Sequence, residues 1–306
     1  MKTSALVLVL AMAALLLAPG AAPAQPVKLT YANFPPAPTF PCVQMERWKA
    51  EVEKRTGGKV QVDTFPGGTL LGPTEMLDGV IAGQADIGCL STAYFPGRLD
   101  FSNAAALPLG IPNARVGSLV VWEMFRKYQP QEFADVKVLT MFCSAPSNIM
   151  SRKRVASLAD IENMSLRASG GALDILKAWG ANGVGMPMSA TPEALQKGVV
   201  IGLFSSLEVL KDFKFAELCK YATITNTVIY PFAVVMNRSR WEALPADVRK
   251  VMDDLGAEQA EWTGTYMDNH VKEAVTWSKE TQQVEFVELS AADKAQWDAR
   301  LQGLTA

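Results

Sequence analysis

Histidine is almost missing: the chain has 306 residues and one histidine, His270. A single imidazole excludes sites built on several histidines and argues against catalysis that pairs histidine with a nucleophile. His270 falls inside a helical pattern of charged and aromatic residues and reads as a partly exposed helix position. Cysteine is sparse. Cys42, Cys89, Cys143 and Cys219 are widely spaced and form no C-x-x-C pair, which argues against a zinc site. In an oxidising compartment they allow three pairings of two disulfides, while the apolar neighbours of Cys89 and Cys143 suit buried free thiols equally well. Enzyme signatures are missing as well: there is no G-x-S-x-G, S-x-x-K, G-x-x-x-x-G-K or H-E-x-x-H, and no G-x-G-x-x-G after a strand. The nearest approach to a phosphate cradle, Arg167-Ala168-Ser169-Gly170-Gly171, lacks the lysine and the loop length. Charge of one sign is not in excess, with 29 basic against 31 acidic residues and a formal net charge of −2, so nothing marks nucleic acid or an anionic membrane surface as a partner.

Long apolar runs occur only at the start. MKTSALVLVLAMAALLLAPGAAPA has a basic beginning at Lys2, an apolar run from Ala5 to Leu17 and small residues before Gln25, and reads as a secretory signal peptide cleaved after Ala24. The run is short of the ~20 residues a membrane span needs, and no later segment reaches that length. The remainder is expected to be exported, not membrane-embedded, and long enough for about two domains.

Short β-branched runs alternate with helical periodicities from Val27 onward: VKLTYAN, QMERWKAEVEKRTG, KVQVDTF, PTEMLDGVIAGQ, ADIGCL, then KVLTMFC, NMSLRA, GGALDILKAWGA, GVGMP, TPEALQKG and VVIGLFSS. That alternation predicts an α/β fold with largely parallel sheets. EMLDGVIAGQADIG and EALQKGVVIGLFSS share one order, helix then glycine then strand, with Gly83 and Gly198 as C-caps and Thr191 as the N-cap before Pro192. Two lobes on one plan follow. From about 245 to 283 an apolar periodicity runs unbroken by proline, which predicts a helix long enough to brace both lobes, with Gly256 and Gly264 as the places for a kink. Ser290, three residues before Asp293, reads as the cap of a last helix.

Arg167 poses the functional question. A guanidinium stays protonated, so one at the end of an apolar strand must meet a side-chain anion, water or a ligand; Asp174 and Glu193 are the side-chain candidates. The surrounding motifs, L-R-A-S, W-G-A, G-M-P, T-P-E-A-L-Q-K-G and M-N-R-S-R-W-E-A-L-P, together with P-G-G-T-L-L-G and G-Q-A-D-I-G, resemble the solute-binding subunits of TRAP (tripartite ATP-independent periplasmic) transporters, the dicarboxylate-binding-subunit (DctP) family, from about Val27 to about Arg300.

The resemblance implies a two-lobed, type II-like periplasmic clamp that closes on an organic carboxylate and hands it to membrane permease subunits driven by an ion gradient. It implies no cofactor, no metal, no enzymatic activity and a monomer. Lobe I is expected from 25–143 plus 230–258 and lobe II from 144–229 plus 270–306. Arg167 stands where the family binds carboxylate, and Asn33, Ser91, Asn148, Met188, Ser205 and Tyr230 fall where it lines its cleft. The chain departs from the family pattern at Ile201-Gly202, where many members have Asp-Gly, at Ser205, where sugar-acid binders have asparagine, and at Ser147-Asn148, where they have a second arginine. One anion-binding arginine beside Phe34, Phe40, Tyr94, Phe204 and Tyr230 suits a monocarboxylate with an aromatic or branched apolar body. A C4-dicarboxylate or sugar-acid specificity, a sensor's ligand-binding subunit and a secreted enzyme are the alternatives. Closure would bring Asn33, Ser91 and Tyr94 onto a ligand held by Arg167, with the long helix bending or twisting.

Overall fold

A computed structural model describes residues 25–304; the expected signal peptide lies outside the described residues. Eleven strands occur among them: β1 Val27–Asn33, β2 Val60–Phe65, β3 Ile87–Ser91, β4 Val136–Cys143, β5 Asn148–Ser151, β6 Ser165–Ala168, β7 Asn182–Gly185, β8 Gly202–Ser205, β9 Tyr221–Ile224, β10 Pro231–Asn237 and β11 Glu285–Glu288. They form two sheets, ordered β2-β1-β3-β10-β4 and β11-β9-β5-β8-β6-β7. The α/β, two-lobed architecture expected from the alternation is therefore present, one sheet to each lobe.

Most pairings are parallel, and the exceptions have a common cause. β10 runs antiparallel to β3 and β4, and β5 runs antiparallel to β8 and β9. Both are reached straight from the other sheet, without the helical crossover that links parallel neighbours. The two connections that carry the chain across, 144–147 and 225–230, lie side by side. Ser144 N donates to Tyr230 O at 2.9 Å, Ser147 N to Val228 O at 2.7 Å and Thr227 N to Ser147 O at 3.1 Å.

The repeated helix, glycine and strand segments fold as that order predicts. Helix Met76–Ile81 is followed by Gly83 at φ 76° and β3, and helix Thr191–Gln196 by Gly198 at φ 72° and β8. The left-handed backbone at these two positions costs glycine nothing. The second helix starts one residue earlier than expected: Ala190 is the N-cap, Thr191 is already helical and its hydroxyl reaches Pro187 O at 3.5 Å. Ser290 caps helix Ala291–Ala299, accepting from Asp293 N at 3.1 Å.

The long helix is Ala246–Gln282, 37 residues, about 55 Å at 1.5 Å per residue. It packs on helices Phe40–Arg55 and Ala114–Tyr128 and on β4 in one lobe, and on helix Val209–Asp212 in the other. Its glycines are not breaks. A Cβ at Gly256 would lie 2.7 Å from Leu139 O and 2.8 Å from the Trp122 ring, and one at Gly264 would lie 2.6 Å from Arg115 Cα. Both glycines let the neighbouring elements approach where a side chain would collide. All four cysteines are free and buried, and burial raises Cys42, Cys143 and Cys219 to about 12, so the free-thiol alternative is the one the fold adopts.

Candidate functional site

Arg167 sits in β6, paired with Val184 of β7 and Leu203 of β8, so its side chain leaves from the strand next to the β7 edge of the second sheet. Only 2% of the residue is exposed. Its Nε and Nη2 donate to Met186 O at 3.0 and 2.8 Å, and Nη2 also to Ser169 Oγ at 2.5 Å. Every one of these partners is neutral. Neither sequence candidate neutralises it: Asp174 is exposed, and Glu193 pairs with Lys197 at 2.5 Å. Among the described residues Arg167 has no carboxyl partner within ion-pair distance. A buried guanidinium held by carbonyl and hydroxyl oxygens keeps its positive charge uncompensated, the electrostatic condition for taking up an anion.

That charge faces a pocket with about 530 Å³ of non-atom space, the part open to solvent included. Eight of the residues singled out in sequence line it: Phe34, Phe40, Ser91 and Tyr94 from the first lobe, Arg167, Met188 and Ser205 from the second, and Tyr230 from the crossing. Phe34 reaches it because it follows β1 directly, Phe40 because it opens helix Phe40–Arg55, and Ser91 and Ser205 because each ends its strand. The rings form a continuous wall. Phe232 stacks on Phe34 at 6.4 Å and meets Phe40 edge-on at 5.3 Å, while Tyr94 meets Phe34 edge-on at 5.5 Å. Burial pushes the Tyr230 phenol up to about 12, and its hydroxyl donates to Phe204 O at 3.2 Å.

Three named residues do not line the pocket. Asn33 is fully buried and donates to Pro41 O at 2.7 Å, fixing the turn into helix Phe40–Arg55. Asn148 accepts from Thr225 N at 2.8 Å and Asn226 N at 2.9 Å, which closes the turn beside β9. Phe204 points into the core, edge-on to Trp179 at 5.4 Å, because alternate residues of β8 face opposite sides of the sheet and Ser205 takes the pocket side.

Tyr94 does more than line the pocket. Its hydroxyl accepts from Met188 N at 3.0 Å and lies 3.5 Å from Arg167 Nη2, so a first-lobe side chain engages the second lobe beside the buried guanidinium. Beside it, a Cβ at Gly170, where φ is 52°, would come within 3.2 Å of Ala93 backbone.

Glu208 and Asp212 also line the pocket, and the sequence reading passed over them. In SSLEVLKD they look like ordinary charges on a helix face. The overlooked signal was position: Ser169 and Ser206 follow the ends of β6 and β8, the strand ends where α/β sheets collect ligands, and Glu208 comes two residues later. Burial, and then the nearby Asp212, raise the Glu208 carboxyl to about 8. His270, expected to be partly exposed, is buried, with Nε2 2.8 Å from Asp212 Oδ1. The hydrogen bond to Asp212 raises the imidazole above its ordinary value, against the opposing effect of burial.

The sequence model of one family, described as bacterial extracellular solute-binding protein, family 7 (DctP), matches residues 35–306. Among solved structures, the chain is similar to a TRAP periplasmic solute binding protein from Desulfovibrio salexigens, an open complex with the C-terminus of a symmetry mate in its ligand binding site. Identity is 58%, coverage 91% of this chain and 87% of that one, and the TM-score 0.81. It is also similar to a marine metagenome TRAP solute binding protein specific for aromatic acid ligands, in complex with metahydroxyphenylacetate, at 30% identity, 91% and 90% coverage and a TM-score of 0.87. The C4-dicarboxylate-binding periplasmic protein DctP of Rhodobacter capsulatus is 26% identical over 291 residues, 90% of this chain and 84% of that protein.

Proposed function

The chain belongs to the bacterial extracellular solute-binding proteins of family 7, the TRAP periplasmic binding proteins for carboxylates, and on that premise we propose that it captures an aromatic or hydrophobic monocarboxylate and delivers it to a TRAP membrane permease. The observation that carries the ligand class is the pairing of one uncompensated guanidinium, Arg167, with a wall of aromatic rings. Nε and Nη2 of Arg167 are held by Met186 O and Ser169 Oγ, which leaves Nη1 to donate to a single carboxylate, and the rings take up an apolar body. A C4-dicarboxylate would bring a second anion to a pocket whose only carboxyl residues are Glu208 and Asp212 and whose only basic residue is Arg167. The relative that binds aromatic acids supports the same reading.

Capture proceeds by lobe closure. Water on Arg167 gives way to the ligand carboxylate, and Ser91, Tyr94 and the first-lobe rings then cover it. The hinge is the paired crossing 144–147 and 225–230, with lobe I taken as 25–143 plus 230–258 and lobe II as 144–229 plus 270–306. The chain superposes better on the ligand-bound relative than on the open one, despite roughly half the sequence identity, which supports a lobe arrangement like that of the ligand-bound relative here.

A thermal-shift panel of aromatic, branched-chain, dicarboxylic and sugar acids tests the ligand class. A ligand that binds only the native state adds about 2.7 kcal/mol of stability at a hundredfold excess over its dissociation constant, a rise of a few degrees for a chain of this size. Aromatic or branched monocarboxylates are expected to give the largest shifts. A larger shift with C4-dicarboxylates or sugar acids would overturn the assignment within the family.

A further inference from the structure

The pocket has a second polar end that a simple aromatic acid would leave unused. Glu208 is 3% exposed, and its Oε1 accepts from Ser206 Oγ at 2.7 Å. The Asp212 side chain is 4% exposed, and its Oδ1 is engaged by His270. The remaining oxygens, Glu208 Oε2 and Asp212 Oδ2, are sealed from solvent and have no hydrogen-bond partner among the described residues. The two residues stand four apart, one helical turn, so their side chains share a face. Both line the cavity that Arg167 lines.

Two buried oxygens without a partner, on residues that line one cavity, are costly unless a ligand pairs them. Resting on the reading of Arg167 as the carboxylate site, we infer that the preferred solute carries a hydroxyl besides its carboxylate, and that this hydroxyl docks between Glu208 Oε2 and Asp212 Oδ2. The chemistry selects that group. With its proton retained up to about pH 8, Glu208 is a donor at neutral pH, whereas Asp212 Oδ2, beside the imidazole of His270, is an acceptor. A hydroxyl is both donor and acceptor and satisfies the two together. An unsubstituted ring satisfies neither, and a second carboxylate adds an acceptor where a donor is also needed. The solute class narrows to hydroxylated aromatic monocarboxylates.

Calorimetric titration of the wild-type protein with benzoate and phenylacetate, and with the ortho, meta and para hydroxy isomers of each, tests this without any mutation. At least one hydroxy isomer is expected to bind about tenfold or more tightly than its parent. Glu208→Gln keeps a donor and an acceptor and retains the preference, while Glu208→Leu brings it to within about twofold of unity. Parent acids that bind as well as every hydroxy isomer would overturn the hydroxyl site and leave the aromatic-acid reading standing. Failure of every acid to bind would overturn both. A preference that survives in Glu208→Leu, or tighter binding of aminomethylbenzoate than of any hydroxy isomer, would also overturn the assignment, the latter in favour of an ammonium group.

Discussion

At the scale of single residues, the site is defined by which charges are compensated. Arg167 is buried among neutral oxygens, whereas His270 and Asp212 are buried together. Glu208 and His270 make stability depend on pH in one direction. The unfolded chain loses the Glu208 proton near the ordinary value of 4.5, but the folded chain holds it to about 8. Between those values the native state binds more protons, so stability falls as pH rises. His270, raised above 6.5, adds to the trend: its contribution is complete below the unfolded value and is lost as pH climbs through the folded one. The groups around them are Asp212, Ser206, Glu273 at 3.8 Å from His270 Nδ1, and Lys211 at 4.0 Å from Glu273. The melting temperature is therefore expected to fall between about pH 5.5 and pH 8.5, and Glu208→Gln to flatten that slope. A wild-type melting temperature that rises over this range would contradict the burial of both groups.

Much of this residue-level picture was legible in sequence. Arg167, Ser91, Ser205, Tyr94 and Met188 were readable because strand ends and family motifs locate them. Phe204 and Asn148 were misplaced for a physical reason: a one-residue change in strand position reverses which face a side chain takes, and a turn's hydrogen bonds are invisible until both segments are placed. Glu208, Asp212 and His270 could not be joined from sequence, since His270 comes 58 positions after Asp212, on the long helix.

At the scale of elements, the long helix joins the lobes through side chains of one face. Trp262, Tyr266 and His270 stack at four-residue spacing, with ring centroids 5.3 and 5.5 Å apart, and the Arg47 guanidinium caps the stack at 4.9 Å from Trp262. The stack runs from a first-lobe helix to Asp212 at the pocket. Its length was readable because no proline interrupts 246–282, and its bounds differ from expectation by one residue at each end. The role of its glycines was not, because close approach depends on what packs opposite. Gly264→Ala is expected to destabilise the protein by about 1–3 kcal/mol, since the overpacking cost outweighs the gain in helix propensity. Urea unfolding measures it. A variant more stable than wild type would mean that Gly264 serves flexibility instead of packing.

At the scale of the whole molecule, two sheets, a paired crossing and one bracing helix surround a pocket with the buried Arg167 inside it, the arrangement the proposed clamp requires. Tyr94, bonded to Met188 N across the lobes, would act as its latch in the proposed closure. Tyr94→Phe is expected to weaken binding of the aromatic acid about fivefold, the loss of one neutral hydrogen bond, and to speed dissociation more than it slows association. Stopped-flow kinetics separates the two. Unchanged dissociation would remove Tyr94 from closure. The two-lobed plan and the long helix followed from alternation and periodicity, but the antiparallel insertions β5 and β10 did not, because strand direction depends on which sheet the chain enters.

The central claim is that Arg167 takes the solute's carboxylate, and the most direct test is a comparison of dissociation constants for the best-binding aromatic acid and its primary amide, in wild type and in Arg167→Ala. Truncating one partner of a buried charged pair costs about 2–5 kcal/mol. Wild type is therefore predicted to prefer the acid by about thirtyfold or more, and Arg167→Ala to lose that preference. Equal affinity for acid and amide in wild type, or an undiminished preference in the variant, would contradict it.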